Sequence, residues 1–295
     1  MDKGPLAFKL SYGGSDADHH YIDLYDVAQG LVGFQRSLAL TTHLAINDKI
    51  ITQAPSLKGA RIYTEPAGKG SWEIVATIVF GAGVLYKLGT APKDTPIGHA
   101  VYSMYDYTIS KILGVRVDYD KSLGQSLEEA KRAGVISPKI DENRVDSLIE
   151  KCEPAVKAMH RPISASQTAE FATVSFRQKS DFEEFAELDI DTHEGIEVVE
   201  YDEKPRTFIG QVSSYNSNTL KGRIYLTDYN RPVPFQLGEE AQRPRFVGRI
   251  VDSLKASATA RKPSGVDLVV VALGGYSRTG RLKRLWIVDV QIAPR

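Results

Sequence analysis

From Arg206 to the C-terminus, strand-like runs and turn residues follow one another in an order that few small folds accommodate. "RTFIGQVSSYN", "KGRIYLTDYN" and "RPVPFQLG" are three strand-like runs, each bounded by Asn, Gly or Pro. "PRFVGRIVDSLKASATA" then places Phe246, Ile250, Leu254 and Ala258 four apart, which predicts an amphipathic helix. "GVDLVVVALGGYSRTGRLKRLWIVDVQIA" closes the chain as a hairpin of two more strands around a Gly-rich loop. Three strands, a helix and two strands predict a small five-stranded β-barrel, OB-like or SH3-like.

Charge divides the chain at the same place. The whole protein is formally neutral, but from Lys204 onward there are 16 Lys and Arg against 6 Asp and Glu, a net +10. Residues 1–203 therefore carry a net −10. A basic barrel attracts an anionic partner, either nucleic acid or an acidic protein. If the barrel is OB-like, ligands meet the loops between its first and second and its fourth and fifth strands. These loops and the strands beside them hold Tyr215, Lys221 and Arg223 on one side and Tyr276, Arg278, Arg281, Lys283 and Arg284 on the other. Cations can hold phosphates there, and tyrosine faces can stack bases.

Upstream, the pattern is α+β. A short strand, Leu6 to Tyr12, precedes a long helical segment in which Ile22, Tyr25, Val27, Leu31, Phe34, Leu38 and Leu44 form an apolar stripe. Gly30 and Gly33 lie inside that helix, where each costs about 1 kcal/mol relative to alanine, so they predict close packing against another element. They lie mid-helix, away from any strand-to-helix turn, which excludes a dinucleotide fingerprint. Ala60 to Glu65 and Ser71 to Val79 flank the turn "PAGKG" and predict a hairpin. The uncharged run from Ile74 to Tyr86 falls short of the roughly 20 apolar residues of a membrane span; it reads as a buried strand entering a turn, and membrane contact is the lesser alternative. Residues 90–165 read as mainly helical. The domain expectation is an α+β region over 1–165, an acidic connection over 166–203 and the basic barrel over 204–295.

No motif commits the chain to a reaction. There is no G-x-S-x-G elbow and no phosphate-binding P-loop. The single cysteine, Cys152, lies in a helical pattern and predicts an inert thiol; one cysteine also forms no internal disulfide, which fits a reducing cytoplasmic compartment. No secretory pattern opens the chain, and no cofactor is implied.

"SYGGSDADHH", residues 11–20, reads as a strand-to-helix junction: glycines for the turn, with Ser15, Asp16 or Asp18 accepting hydrogen bonds from the amides of the next helix. Asp16, Asp18 and His19 are the alternative metal ligands, which would suit a metal-dependent hydrolase or nuclease.

The stretch "FKLSYGGSDADHHYIDLYDVAQGLVGFQRSL" with "GSWEIVATIVFG" resembles a group of bacterial proteins of unknown function over roughly the first 115 residues. That resemblance implies a setting among mobile-element or phage-defence genes and transfers no site residue. The functional expectation is a non-enzymatic binding or adaptor protein, a phage-defence sensor subunit, whose barrel contacts nucleic acid or an acidic partner. The alternatives are an assembly subunit that forms homo- or hetero-oligomers through complementary charge, and the metal-dependent enzyme.

Overall fold

The computed structural model describes residues 6–65, 72–81, 96–114, 132, 142–178, 181–259, 268–277 and 280–292. Strands Ala7–Gly13 (β1), Ala60–Glu65 (β2), Trp72–Phe80 (β3), Phe171–Gln178 (β4) and Asp181–Leu188 (β5) form one antiparallel sheet in the order β2-β3-β1-β4-β5. Strand alternation sends Phe8, Leu10 and Tyr12 to one face. Their partners there are Ala76 and Phe176, Ile74 and Val174, and Trp72 and Ala172.

That face is covered by helices Leu24–Asn47 (α1), Pro96–Leu113 (α2) and Glu142–Met159 (α3), followed by the single turn Arg161–Ser164 (α4) and by Ile190–Glu197 (α5). The Phe8 and Tyr105 rings meet edge to face at 5.0 Å, and the Tyr12 hydroxyl donates to the Met159 carbonyl at 2.9 Å. On α2, Val101, Tyr105, Ile109 and Ile112 are all buried, as their spacing predicts. Gly30 and Gly33 do mark a close approach. A Cβ at Gly33 would stand 2.3 Å from the Ala155 carbonyl oxygen, and one at Gly30 2.4 Å from the Tyr12 hydroxyl.

The buried face of α1 follows the expected stripe: Val27, Phe34, Leu38 and Leu44 are in the core and Ile22 and Leu31 pack against it, while Tyr25 is exposed. Asp26, Gly30, Gly33, Ser37 and Thr41 are buried on the same helix, and its small residues let α3 approach closely. The 166–203 stretch divides between the two units: residues up to Glu197 supply β4, β5 and α5 to the first, and Val198 onward belongs to the second. β4 hydrogen-bonds along β1, a pairing between segments far apart in sequence.

The second unit, Val198–Arg295, holds strands Glu200–Tyr201 (β6), Arg206–Asn216 (β7), Lys221–Leu226 (β8), Arg231–Leu237 (β9), Leu268–Tyr276 (β10) and Leu282–Ile292 (β11), with helix Pro244–Thr259 (α6) between β9 and β10. β7, β8 and β9 pair antiparallel in sequence order; β9 then pairs parallel with β11, and β11 and β7 each pair antiparallel with β10. The circuit is closed, so these strands form a five-stranded barrel, with β6 added along β10. The parallel β9–β11 step and the helix before the fourth strand give the OB-like order. Val212, Ile224, Val233, Phe235, Val270, Leu285 and Ile287 fill its interior. α6 packs on it through Phe246 and Ile250, while the Ser253 hydroxyl accepts the Val212 N–H at 3.1 Å.

The expected 66–70 turn, residues 82–86 of the uncharged run, and 115–131 and 133–141 of the stretch read as mainly helical lie outside the described residues. Among the described residues no helix is long and apolar enough to cross a membrane.

Candidate nucleic-acid interface

The barrel wall is built by alternation. On β8, Ile224 and Leu226 point inward, so Lys221, Arg223 and Tyr225 point outward. On β9, Val233, Phe235 and Leu237 point inward, leaving Pro232, Pro234 and Gln236 outside. The register sets Lys221 opposite Gln236, Arg223 opposite Pro234 and Tyr225 opposite Pro232. Across the parallel step, Trp286 lies opposite Gln236. Arg284 precedes Leu285 as Pro234 precedes Phe235, which puts Arg284 level with Pro234 and Arg223.

One outer face thus carries Lys221, Arg223 and Arg284 with the rings of Tyr225 and Trp286. Neither β8 nor β9 contains an acidic residue. Lys221 and Arg223 are about 7 Å apart along a strand, and Arg223 and Arg284 about 10 Å apart across two strand spacings. Trp286 is half-buried and lies over Gly238, where a Cβ would fall 2.6 Å from the indole Nε1; this holds the ring against the wall. Tyr225 is fixed by a hydrogen bond from its hydroxyl to the Asn230 side-chain oxygen.

The other predicted residues lie elsewhere. Tyr215 points into the barrel opposite Gly222 and stacks on Phe235, with centroids 6.3 Å apart and planes 11° apart. Burial raises its phenol pKa, and its hydroxyl has no hydrogen-bond partner among the described residues. Tyr276 folds over Gly274, beside Asp202 and opposite Glu200. Its pKa is pushed up to about 12, first by desolvation and then by Tyr229 and Asp202. Neither tyrosine is an open stacking platform. Arg281 is half-buried in the turn, where its N–H donates to the Ser277 hydroxyl at 3.2 Å. Lys283 occupies the irregular step where β10 and β11 shift register. Arg278 lies outside the described residues.

Sequence reading missed Trp286 and Tyr225. The signal for Trp286 is its position between the apolar Leu285 and Ile287 in a strand whose neighbouring positions point inward.

Residues 11–20 form the expected junction, with the caps moved. Gly14 adopts φ +76° and its N–H donates to Asp18 Oδ1 at 2.8 Å, so Asp18 caps backward. The α1 N-cap is Asp23, which accepts the Asp26 N–H at 2.9 Å. Asp16 and His19 are exposed, and among the described residues no cluster of three His, Cys, Asp or Glu side chains is placed to hold a metal. The acidic run around Asp189 begins α5: Asp189 Oδ1 accepts the Thr192 N–H at 2.7 Å, and Thr192 Oγ1 accepts the Asp189 N–H at 2.8 Å. Cys152 is fully buried, and its thiol pKa is pushed up to about 12 by that burial.

Comparison with known proteins follows the same division of the chain. A family model described as a family of unknown function (DUF7947) matches residues 204–291, the barrel unit. No curated protein and no solved structure matches the chain. A second model matches residues 8–197, nearly the whole first unit, and by it the chain belongs to the family described as a domain of unknown function (DUF7946).

Proposed function

We propose that the protein is a binding or adaptor protein whose barrel holds nucleic acid on the outer face of β8, β9 and β11. The supporting observation is the convergence of Lys221, Arg223 and Arg284 with Tyr225 and Trp286 on three neighbouring strands whose outward positions there carry no carboxylate. Cations held at strand spacing attract successive phosphates, and an aromatic ring beside them can stack on a base. In this reading the first unit is the adaptor portion, and its phage-defence setting rests on the sequence resemblance alone.

The test is fluorescence anisotropy with a labelled 20-nucleotide oligothymidine and a 20-base-pair duplex at two salt concentrations. Each phosphate contact on a single strand contributes about 0.7 to the slope of log affinity against log salt, so Lys221, Arg223 and Arg284 changed together to alanine remove about 2 from that slope. Absence of binding at low salt, or a triple variant with unchanged affinity and slope, overturns the reading.

The exposed acids of the β5 edge, Asp181, Glu183, Glu184 and Glu187, favour a second reading, in which the basic barrel docks on the acidic unit of another copy. Light scattering without nucleic acid tests it: assemblies dissolved by salt support it, and a salt-independent mass refutes it.

A further inference from the structure

The row of outward residues that holds Arg223, Pro234 and Arg284 continues past β11. Arg284 pairs with Gly275 on β10, and Gly275 pairs on its other side with Tyr201 on β6. Paired residues point to the same face of a sheet, so Tyr201 shares the outward phase of Arg284. Packing around the glycine agrees: a Cβ at Gly275 would fall 2.6 Å from Val199 Cγ1, 3.0 Å from Tyr201 Cε1 and 3.1 Å from Arg284 Cγ. A glycine here lets the tyrosine ring and the arginine stem close over the same point of the wall. Tyr201 is nevertheless 44 % exposed.

The strand that delivers this ring is short but well held. The Asp202 N–H donates to the Gly274 carbonyl at 2.9 Å, and the Gly274 N–H donates to Asp202 Oδ2 at 3.1 Å. Asp202 Oδ1 pairs with Arg206 Nη2 at 2.9 Å, so that carboxylate is engaged beside β10 and turned away from the row. Glu200 pairs with Tyr276 and takes the opposite phase from Tyr201. From Arg223 through Pro234, Arg284 and Gly275 to Tyr201 the row therefore carries two cations, a ring and no carboxylate. Arg284 stands between two rings, with Trp286 about 7 Å along its own strand and Tyr201 about 10 Å away across two strand spacings.

We propose that β6 extends the nucleic-acid face by one strand and that Tyr201 is a second base-stacking residue, so that a bound strand crosses the wall from β8 to β6. This rests on the nucleic-acid reading of the barrel. A cation flanked by rings suits a phosphate flanked by bases. Four strand spacings separate β8 from β6, about 19 Å along the wall, which matches a site of about four nucleotides, the small end for a barrel of this kind.

Fluorescence anisotropy at low salt tests the proposal with two labelled 20-nucleotide probes, oligothymidine and an abasic strand that has the same phosphates and no bases. Tyr201→Ala is expected to weaken oligothymidine binding about 5- to 150-fold. The same variant is expected to bind the abasic strand as tightly as the wild type, which also shows that it folds. Tyr201→Phe keeps the ring and is expected to retain wild-type affinity for both probes. Wild-type protein that binds neither probe overturns the nucleic-acid reading and this proposal with it. Where the wild type binds, a Tyr201→Ala affinity that is unchanged for oligothymidine, or lowered equally for both probes, overturns the proposal alone and leaves the face of β8, β9 and β11 standing.

Discussion

Replacing Gly33 with alanine sets two opposing effects against each other, and the structure decides between them. In an exposed helix the change stabilises by about 1 kcal/mol, because glycine is the poorer helix former. At Gly33 the new Cβ stands 2.3 Å from the Ala155 carbonyl oxygen, 3.1 Å from the Ala158 Cβ and 3.2 Å from the Ala155 carbonyl carbon. Relieving the first contact requires α1 and α3 to separate by about 1 Å. The obstructing atom is helix backbone and cannot rotate away, and the flanking Phe34, Leu38, Cys152 and Val156 are all buried and lose contact with it. Overpacking of this kind costs about 1 to 3 kcal/mol. With the rigid obstruction placing Gly33→Ala at the upper end, the net loss is about 2 kcal/mol, or about 4 to 8 °C in Tm for a unit of this size.

Gly248 supplies the internal control. It lies within α6, and a Cβ there meets nothing within 4 Å; Gly248→Ala therefore stabilises the barrel by up to about 1 kcal/mol. The protein's two tryptophans fall one in each unit, Trp72 in β3 and Trp286 in β11. Urea denaturation followed in a Trp286→Phe background reports the first unit, and in a Trp72→Phe background the second. A Gly33→Ala protein whose first-unit midpoint equals or exceeds that of its parent refutes the close-packing argument. So does a Gly248→Ala protein with a lowered barrel midpoint.

Two buried groups give opposite pH slopes in the first unit. Asp106 has its pKa pushed up to about 6 by burial, opposed by hydrogen bonds from Ser110 and Tyr102, so folding takes up protons and its contribution falls as pH rises from about 4 to 6. His160, donating to the Val156 carbonyl and fully buried, has its pKa lowered to about 4 by that burial, so its contribution rises between pH 4 and 6.5. Each spans about 3 kcal/mol, so the two nearly cancel in the parent; Asp106→Asn should leave a urea midpoint that rises from pH 4 to 6.5 and His160→Gln one that falls from pH 4 to 6, whereas parallel profiles for all three proteins refute the assignment. Arg161 donates to the buried Asp26 carboxylate through Nε at 2.8 Å and Nη2 at 2.7 Å. Arg161→Ala leaves that charge unpaired and should cost the first unit about 3 kcal/mol, while Asp26→Asn with Arg161→Met together should recover much of it; equal losses in the single and double variants refute pairing. Trp286→Ala should weaken oligothymidine binding by about 1 to 3 kcal/mol with an unchanged salt slope, whereas Tyr276→Phe should leave binding unaltered; the reverse pattern places the stacking surface on the other side of the barrel.

The legible parts of this fold are those whose cause is local. Turn residues bound β7, β8 and β9, and spacing along α2 marks Val101, Tyr105, Ile109 and Ile112 as one buried face, so the sequence predicts both without long-range information. The 166–203 stretch was not legible, because β4 becomes part of the first unit only through pairing with β1 at the other end of that unit. On α1 the periodicity marks Val27, Phe34, Leu38 and Leu44 as core and the two mid-helix glycines mark the close approach, whereas the burial of Ser37 and Thr41 does not register on an apolar scale and Tyr25, apolar by type, stays exposed.

The barrel site shows the same limit at the level of single residues. Positive charge is a property of composition, so the basic character of the region and the candidacy of Lys221, Arg223 and Arg284 follow from the sequence. Which aromatic rings accompany those charges depends on inward or outward phase, and phase changes at every bulge. The shift between Val212 and Ser214 turns Tyr215 inward, opposite Gly222, and the shift beside Tyr276 absorbs Lys283 while leaving Arg284 on the wall. The parallel step from β9 to β11 then brings Trp286 beside Gln236, in the row that holds Lys221. Because one closing pair of strands sets this neighbourhood, changes at Trp286 and Lys221 should be energetically coupled in oligothymidine binding although the residues are far apart in sequence. Additive losses in a Trp286→Ala, Lys221→Ala double-mutant cycle show that the two do not share a bound strand.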